Sequence, residues 1–153
     1  MGIPFNYPHL NDPELWKRYV EGYLLADLMI CPSTLSAECM KSYGCKNVKI
    51  IPHGVTLPEV VQPLPERFIA GYLGSFGADK GVRYLLEAWK KLNYKDATLI
   101  LAGRDSTSLW GRHLISTYGG GNIKVLGWVN NISDFYNQIS LFICPAVSEG
   151  FNL

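Results

Sequence analysis

The chain has 153 residues, of which 48% are hydrophobic and 18% are charged. This is the composition of a folded protein of about one domain by length, and it excludes a disordered chain. Fourteen basic residues against 13 acidic ones give a net charge of +1, and the basic residues are scattered along the chain. Without a basic stripe, a general nucleic-acid binder is excluded as well.

The cysteines and the apolar runs limit the site chemistry and the location of the protein. No CxxC pair and no Cys-His set with zinc spacing occurs, so the sequence predicts no metal site. Cys31 and Cys144 lie in apolar runs and are predicted to be buried free thiols. No signal peptide is recognisable, and no apolar run reaches the ~18 residues of a membrane-spanning helix. We therefore expect a cytoplasmic protein without a transmembrane segment, and peripheral association with a membrane stays open.

The first third of the chain predicts two helices that alternate with two short strands. Asn11 or Asp12, before a proline, is typical of a helix start. The run "DLMICPS" predicts a buried strand, and Ser33 or Thr34 can cap a second helix that Gly44 ends. A second strand, "NVKIIPHGV", precedes the proline-rich "TLPEVVQPLPER", which is typical of a linker. We therefore predict one domain over residues 1–57, a linker over 58–66 and a second domain over 67–153.

The second domain shows a regular alternation of strands and helices. Apolar runs predict four strands, which are "RFIAGYLG", "ATLILAG", "NIKVLGWV" and "LFICPA". Helices are predicted between them, and the first carries an apolar stripe of Val82, Leu85, Leu86, Trp89 and Leu92. "ATLILAG" is apolar enough to be covered on both faces. The pattern predicts an α/β fold with a parallel sheet and helices on both faces.

The loop "LGSFGADKG" is the first candidate for chemistry. Ligands of open parallel sheets bind at the carboxyl ends of the strands, where this loop lies. Gly74 and Gly77 allow a tight turn close to a ligand, and Lys80 places a positive charge near the start of the next helix. The loop has the features of an anion cradle, but a simple glycine turn with a solvated lysine is an equally good reading of it.

Two further loops belong to the same predicted sheet edge. After the third strand, Trp128 and Val129 could present an indole and backbone groups to a flat ring, although an aromatic at a strand end more often packs. After the fourth strand, Glu149 precedes Gly150. Its carboxylate can accept hydrogen bonds from sugar hydroxyls, or it can cap the following helix. The combination of three loops at one edge favours a ligand site.

The ordered motifs resemble a known family. "ADLMICPS", "VKIIPHGV", "GSFGADKGVRYLLEAW", "LILAGRD", "IKVLGWV" and "LFICPAVSEGFNL" follow the pattern of the retaining GT-B glycosyltransferases of the group 1 type, family GT4. The resemblance implies an incomplete GT-B-like fold with a Rossmann-type sheet. Residues 1–57 would be the tail of an N-terminal Rossmann-like domain, and 67–153 the front part of a C-terminal nucleotide-sugar-binding domain. Such a fragment is expected to be inactive alone.

The resemblance also implies roles for individual residues. Lys80 would contact the donor diphosphate in the cradle shaped by Gly74 and Gly77, and Glu149 would be the catalytic residue at the transferred sugar. The amides of Gly150 and Phe151 would support the sugar, and Trp128 and Val129 would belong to the donor site. Ser75 stands where the family often has an arginine, and Arg83 or Arg104 is the candidate to replace that charge.

The implied reaction is transfer of a sugar from a nucleotide-diphosphate sugar to an acceptor with retention at the anomeric carbon. The acceptor, whether a sugar, a lipid or a glycan, is open, and no metal or other cofactor is expected. Two alternatives stay open at this stage. One is a nucleotide-binding module without catalysis, and the other is a GT-B sugar-nucleotide epimerase that changes the donor without an acceptor.

Overall fold

The structure is a computed structural model that describes residues 12–55 and 62–147. Glu149, Gly150, Phe151 and residues 58–61 of the predicted linker lie outside the described residues. The described residues fall into two compact units on either side of residue 56. Within the described ranges, no helix is both long and apolar enough to cross a membrane.

The N-terminal unit contains two helices and a two-stranded parallel sheet. Its elements are α1 (Pro13–Leu24), β1 (Met29–Cys31), α2 (Thr34–Ser42) and β2 (Val48–Ile50). The Asp12 carboxylate accepts hydrogen bonds from the first turn of α1, and the Ser33 hydroxyl accepts one from Ser36 N–H at the start of α2. Gly44 follows α2 with a φ of 97°. The predicted helix ends of this unit are therefore confirmed.

The prediction that β1 is a buried strand is wrong for most of its length. Only Cys31 is buried, whereas 56% of the surface of Ile30 is exposed. The described part of α1 has no buried residue at all. A two-stranded sheet has no central strand that is flanked on both sides. With so few packed neighbours, only a few side chains of this unit are buried.

The C-terminal unit is a four-stranded parallel sheet with helices on both faces. Its elements are β3 (Ile69–Leu73), a 3₁₀ turn (Ala78–Lys80), α3 (Val82–Leu92), β4 (Thr98–Ala102), α4 (Leu109–Tyr118), β5 (Ile123–Gly127), α5 (Ile132–Tyr136) and β6 (Leu141–Phe142). The strand order is β5-β4-β3-β6, and all three neighbouring pairs are parallel. The predicted α/β architecture with a parallel sheet is confirmed.

Two hydrophobic clusters lie on opposite faces of this sheet. Leu99 and Leu101 of β4 pack with α3 and α4, while Ile100 and Ala102 pack with Phe135 of α5 and with Ile139. Side chains of a strand alternate between its faces, so both faces of β4 are covered. The prediction of a strand buried on both sides is confirmed.

Three details of the predicted core are wrong. Leu92 is 63% exposed, although Val82, Leu85, Leu86 and Trp89 of the same stripe are buried. Leu92 is the last residue of α3, and Asn93 turns the chain away with a φ of 45°. Cys144 is exposed, because β6 ends at Phe142 and the chain leaves the sheet before it. Strand β6 has only two residues, fewer than the run "LFICPA" predicts.

Candidate functional site

The site is located by a change of direction in the sheet. The chain runs from β3 to β4 and β5 on one side, and then returns to place β6 on the other side of β3. Helices α3 and α4 cover one face and α5 covers the other, as this reversal requires. In open α/β sheets, the crevice beyond the carboxyl ends of the two strands at such a switch point binds ligands. Here these strands are β3 and β6.

The turn after β3 places Lys80 at this edge. Residues Ala78–Lys80 form a 3₁₀ turn, and Gly81 caps the 11-residue helix α3. The Lys80 Nζ lies 3.5 Å from Asp79 Oδ2, with 27% of the Lys80 side chain exposed. The first N–H groups of a helix have no partner within it and carry a partial positive charge. A side-chain cation and a helix start therefore come together where an anion could bind.

The same turn contacts the segment that follows β6. Val147 N–H donates a hydrogen bond of 2.9 Å to Asp79 O. Gly81 has a φ of 67°, and a Cβ atom at this position would overlap the carbonyl oxygen of Pro145. Glu149 comes two residues after Val147 in the sequence, but its own position lies outside the described residues. Its pairing with Lys80 in one cavity therefore stays a prediction.

The predicted cradle of Gly74, Ser75 and Gly77 is held by its neighbours. Gly74 N–H donates to Ala102 O at 3.0 Å, and the Tyr72 hydroxyl donates to Ser75 O at 2.6 Å. Tyr72 itself is buried. The loop is therefore held by the Tyr72 side chain of its own strand and by a backbone hydrogen bond to β4.

The loop after β4 completes this support. Phe76 N–H donates to Arg104 O at 3.2 Å, and the Trp110 Nε1–H donates to Phe76 O at 3.0 Å. Gly103 has a φ of 113°, and a Cβ atom there would overlap the Gly74 carbonyl. Phe76 is buried, with 1% of its surface exposed. Its side chain anchors the loop in the core while its backbone is paired on both sides.

In the loop after β5, the two predicted site residues Trp128 and Val129 differ in their exposure. Trp128 is 68% exposed, so its indole is available at the edge of the sheet. Val129 is partly buried and packs against the cluster of Phe135 and Ile139. Gly127 O accepts a hydrogen bond of 2.7 Å from Gly103 N–H, which fixes this loop to the loop after β4. The side chain of Val129 therefore has a packing role.

The two arginines proposed as replacements for the missing charge differ in their contacts. Arg83 Nε donates to Glu87 Oε1 at 2.9 Å, and its guanidinium lies 4.4 Å from the ring centroid of Tyr118. The hydrogen bond to Glu87, and then the Coulombic effect of Tyr118, raise the pKa of Arg83. Arg104 is exposed two residues after the carboxyl end of β4, and its carbonyl accepts the hydrogen bond from Phe76 N–H. Which of the two arginines replaces the missing charge stays a prediction.

Three residues at this edge are missing from the sequence-based site. Gly81 and Gly103 are places where one backbone closely approaches another, and Trp110 donates to the cradle. Of these three residues, Gly81 is the one that the sequence could have indicated, because it directly follows Lys80. The close approaches depend on which strands are neighbours, which the sequence pattern does not state. Within residues 12–55 and 62–147, no three potential metal ligands from His, Cys, Asp and Glu come together.

A comparison with protein families matches this same region. The family model described as "Glycosyl transferases group 1" matches residues 67–153. The chain belongs to the group 1 glycosyltransferases. No curated protein gives a significant sequence match to this glycosyltransferase chain.

Solved structures show the same fold at low sequence identity. Sucrose-phosphate synthase from Thermosynechococcus elongatus matches with a TM-score of 0.75 and 21% identity, over 93% of this chain and 40% of that one. Anabaena HepE, solved in complex with UDP-glucose, matches with a TM-score of 0.72 and 17% identity, over 94% and 45%. TarM matches with a TM-score of 0.68 and 14% identity, over 90% and 28%. The fold is that of GT-B glycosyltransferases, and the chain spans less than half the length of these proteins.

Proposed function

We propose that this glycosyltransferase binds a nucleotide-diphosphate sugar at the carboxyl edge of the second sheet and transfers the sugar with retention, as in family GT4. The observation that carries the proposal is the switch point between β3 and β6. The turn with Lys80 follows one of these strands, and the segment leading to Glu149 follows the other. The acceptor is a sugar, a lipid or a glycan.

Each group has a separate electrostatic task in this proposal. Lys80, Arg104 and the start of α3 stabilise the negative charge that grows on the leaving diphosphate, a task that such groups perform without a metal or another cofactor. Glu149 accepts hydrogen bonds from the transferred sugar, supported by the amides of Gly150 and Phe151. The exposed Trp128 indole lies at the same edge for the nucleobase. Supporting this choice of donor, the HepE structure contains UDP-glucose, and a structure of S. aureus TarM contains UDP.

Titration of the chain with UDP tests the cradle. We expect Lys80→Ala to weaken UDP binding by about 1–3 kcal/mol, the range for hydrogen bonds to charged groups. Arg104→Ala should weaken it as well, whereas Arg83→Ala, which removes a side chain already engaged by Glu87 and Tyr118, is the matched control. Equal affinities of the Lys80→Ala variant and the parent chain would contradict the proposal.

Turnover by the full-length protein tests the role of Glu149. Glu149→Gln should leave UDP binding nearly unchanged and lower kcat, because its partner is the sugar and the interaction strengthens in the transition state. The anomeric configuration of the product, read by proton NMR, tests retention. Conversion of the donor into a different sugar nucleotide in the absence of an acceptor would instead identify an epimerase.

A further inference from the structure

We propose that Gly81 is a positioning residue, which sets the place of the Lys80 ammonium by letting the Lys80 turn rest directly on the backbone of the segment after β6. This inference depends on the proposed function of Lys80. It adds a residue that touches neither the diphosphate nor the sugar and acts through the backbone contacts of its neighbours.

The pairing of β3 with β6 continues beyond the sheet. Gly71 pairs with Phe142, and Ile143 N–H then donates to Gly71 O at 2.8 Å. Beyond this pair, the segments that follow β3 and β6 are joined again where Val147 N–H donates to Asp79 O. The residue before Lys80 is therefore bonded to the segment that leads to Glu149.

Gly81 provides the second contact, on the other side of Lys80. It is buried, and its φ of 67° is in the left-handed region. An added Cβ atom would overlap Pro145 O and would lie 2.8 Å from Pro145 C. These are backbone atoms, so no side-chain rotation can relieve the overlap, and one of the two segments would have to move. Lys80 is thus held between two backbone contacts, at Asp79 and at Gly81, with the same short segment.

The chain contains a matched control for the backbone strain. Gly121 has a φ of 76° and belongs to the same unit, between α4 and β5. A Cβ atom there would come no closer than 3.6 Å to Trp89 Nε1, an ordinary contact. Gly121→Ala therefore introduces the same unfavourable φ as Gly81→Ala, without the overlap and at the opposite edge of the sheet.

UDP titration of the 153-residue chain tests the inference. We expect Gly81→Ala to weaken UDP binding by about tenfold, whereas Gly121→Ala binds as the parent chain does. Gly81→Asn separates the two causes, because asparagine tolerates a positive φ but carries a Cβ atom. It should bind as weakly as Gly81→Ala. Recovery of the parent affinity in Gly81→Asn would show that strain alone matters and would overturn the inference.

A double-mutant cycle separates positioning from a loss of structure. Lys80→Ala should weaken binding by about 5- to 150-fold in the parent, the equivalent of 1–3 kcal/mol. In the Gly81→Ala background the same change should weaken binding by a smaller factor than in the parent, because the ammonium is already displaced. Additive losses would mean that Gly81 is structural only.

Val147→Pro tests the other contact if the Gly81 variants do not fold. It removes the N–H that donates to Asp79 O and leaves the Lys80 turn unchanged in sequence. UDP affinity should fall by about three- to tenfold relative to Val147→Ala, which keeps the N–H. Equal affinities of these two variants would overturn the inference. If the parent chain binds none of UDP, ADP and GDP, the proposed function fails, and this inference fails with it. Binding that depends on Lys80 but not on Gly81 contradicts the inference alone.

Discussion

The two units use the same alternation of strand and helix but differ in how much they bury. In the N-terminal unit, the buried hydrophobic residues among those described are Cys31, Ala37 and Cys45. The C-terminal unit has two clusters, one on each face of its sheet. Its central strands β3 and β4 have neighbours on both sides and helices on both faces. The comparison teaches that a strand becomes buried through its neighbours in the sheet, and its own apolar composition is not sufficient.

The difference has a consequence for the site. The cradle after β3 follows a central strand, so its backbone is bonded to the loop on the β4 side and to the segment after β6 on the other side. A loop with bonded neighbours on both sides keeps its shape before a ligand arrives, which lowers the cost of binding. The central position of β3 is therefore as important for the candidate site as the identity of Lys80.

The largest expected effect comes from truncating the core of the C-terminal unit. Phe135 is fully buried, so Phe135→Ala should lower the free energy of unfolding of this unit by about 3–5 kcal/mol. Leu35→Ala is the control from the N-terminal unit, because 78% of the surface of Leu35 is already exposed. It should cost less than about 0.5 kcal/mol.

Fluorine NMR of fluorotryptophan-labelled protein measures both units in one denaturant titration. Trp16 reports the N-terminal unit, and Trp89, Trp110 and Trp128 report the C-terminal one. A comparable loss of stability from both substitutions would break the comparison, since it would mean that Leu35 is packed in solution.

A smaller loss is expected from overfilling the sheet. A Cβ atom on Gly71 in β3 would lie 2.6 Å from Ile139 Cγ2 and 2.9 Å from Phe135 Cζ. Gly71→Ala should therefore destabilise the C-terminal unit by about 1–3 kcal/mol, the usual cost of overpacking. Chemical denaturation monitored by circular dichroism measures this change. A neutral result would show that the face covered by α5 is loosely packed.

The smallest expected effect has the opposite sign and lies in the N-terminal unit. Gly22 is inside α1, and a Cβ atom there would have no heavy atom within 4 Å. Gly22→Ala should stabilise that unit by about 0.5–1 kcal/mol, because alanine loses less backbone freedom than glycine when the helix forms. The shift of the Trp16 signal in the same denaturant titration measures it. Destabilisation would show that this side of α1 is covered.

The sequence by itself determined the fold class and most element ends, because these depend on residues close together in the chain. Asp12 and Ser33 mark helix starts by bonding to N–H groups two or three positions away, and the period of apolar residues separates strands from helices. The family resemblance, too, consists of short motifs in order, and it correctly indicated the group 1 glycosyltransferases.

Only the tertiary structure decided the strand order. The contacts that depend on the strand order join residues that are far apart in the chain. The order β5-β4-β3-β6 brings the segment after β6 beside the turn with Lys80. Val147, in that segment, lies 67 positions after Lys80 in the chain. The strand order also explains why Gly81 must lack a side chain, since its neighbour Pro145 lies 64 positions later in the chain. Contacts between residues far apart in the chain are set by the packing of whole elements, so no local pattern encodes them.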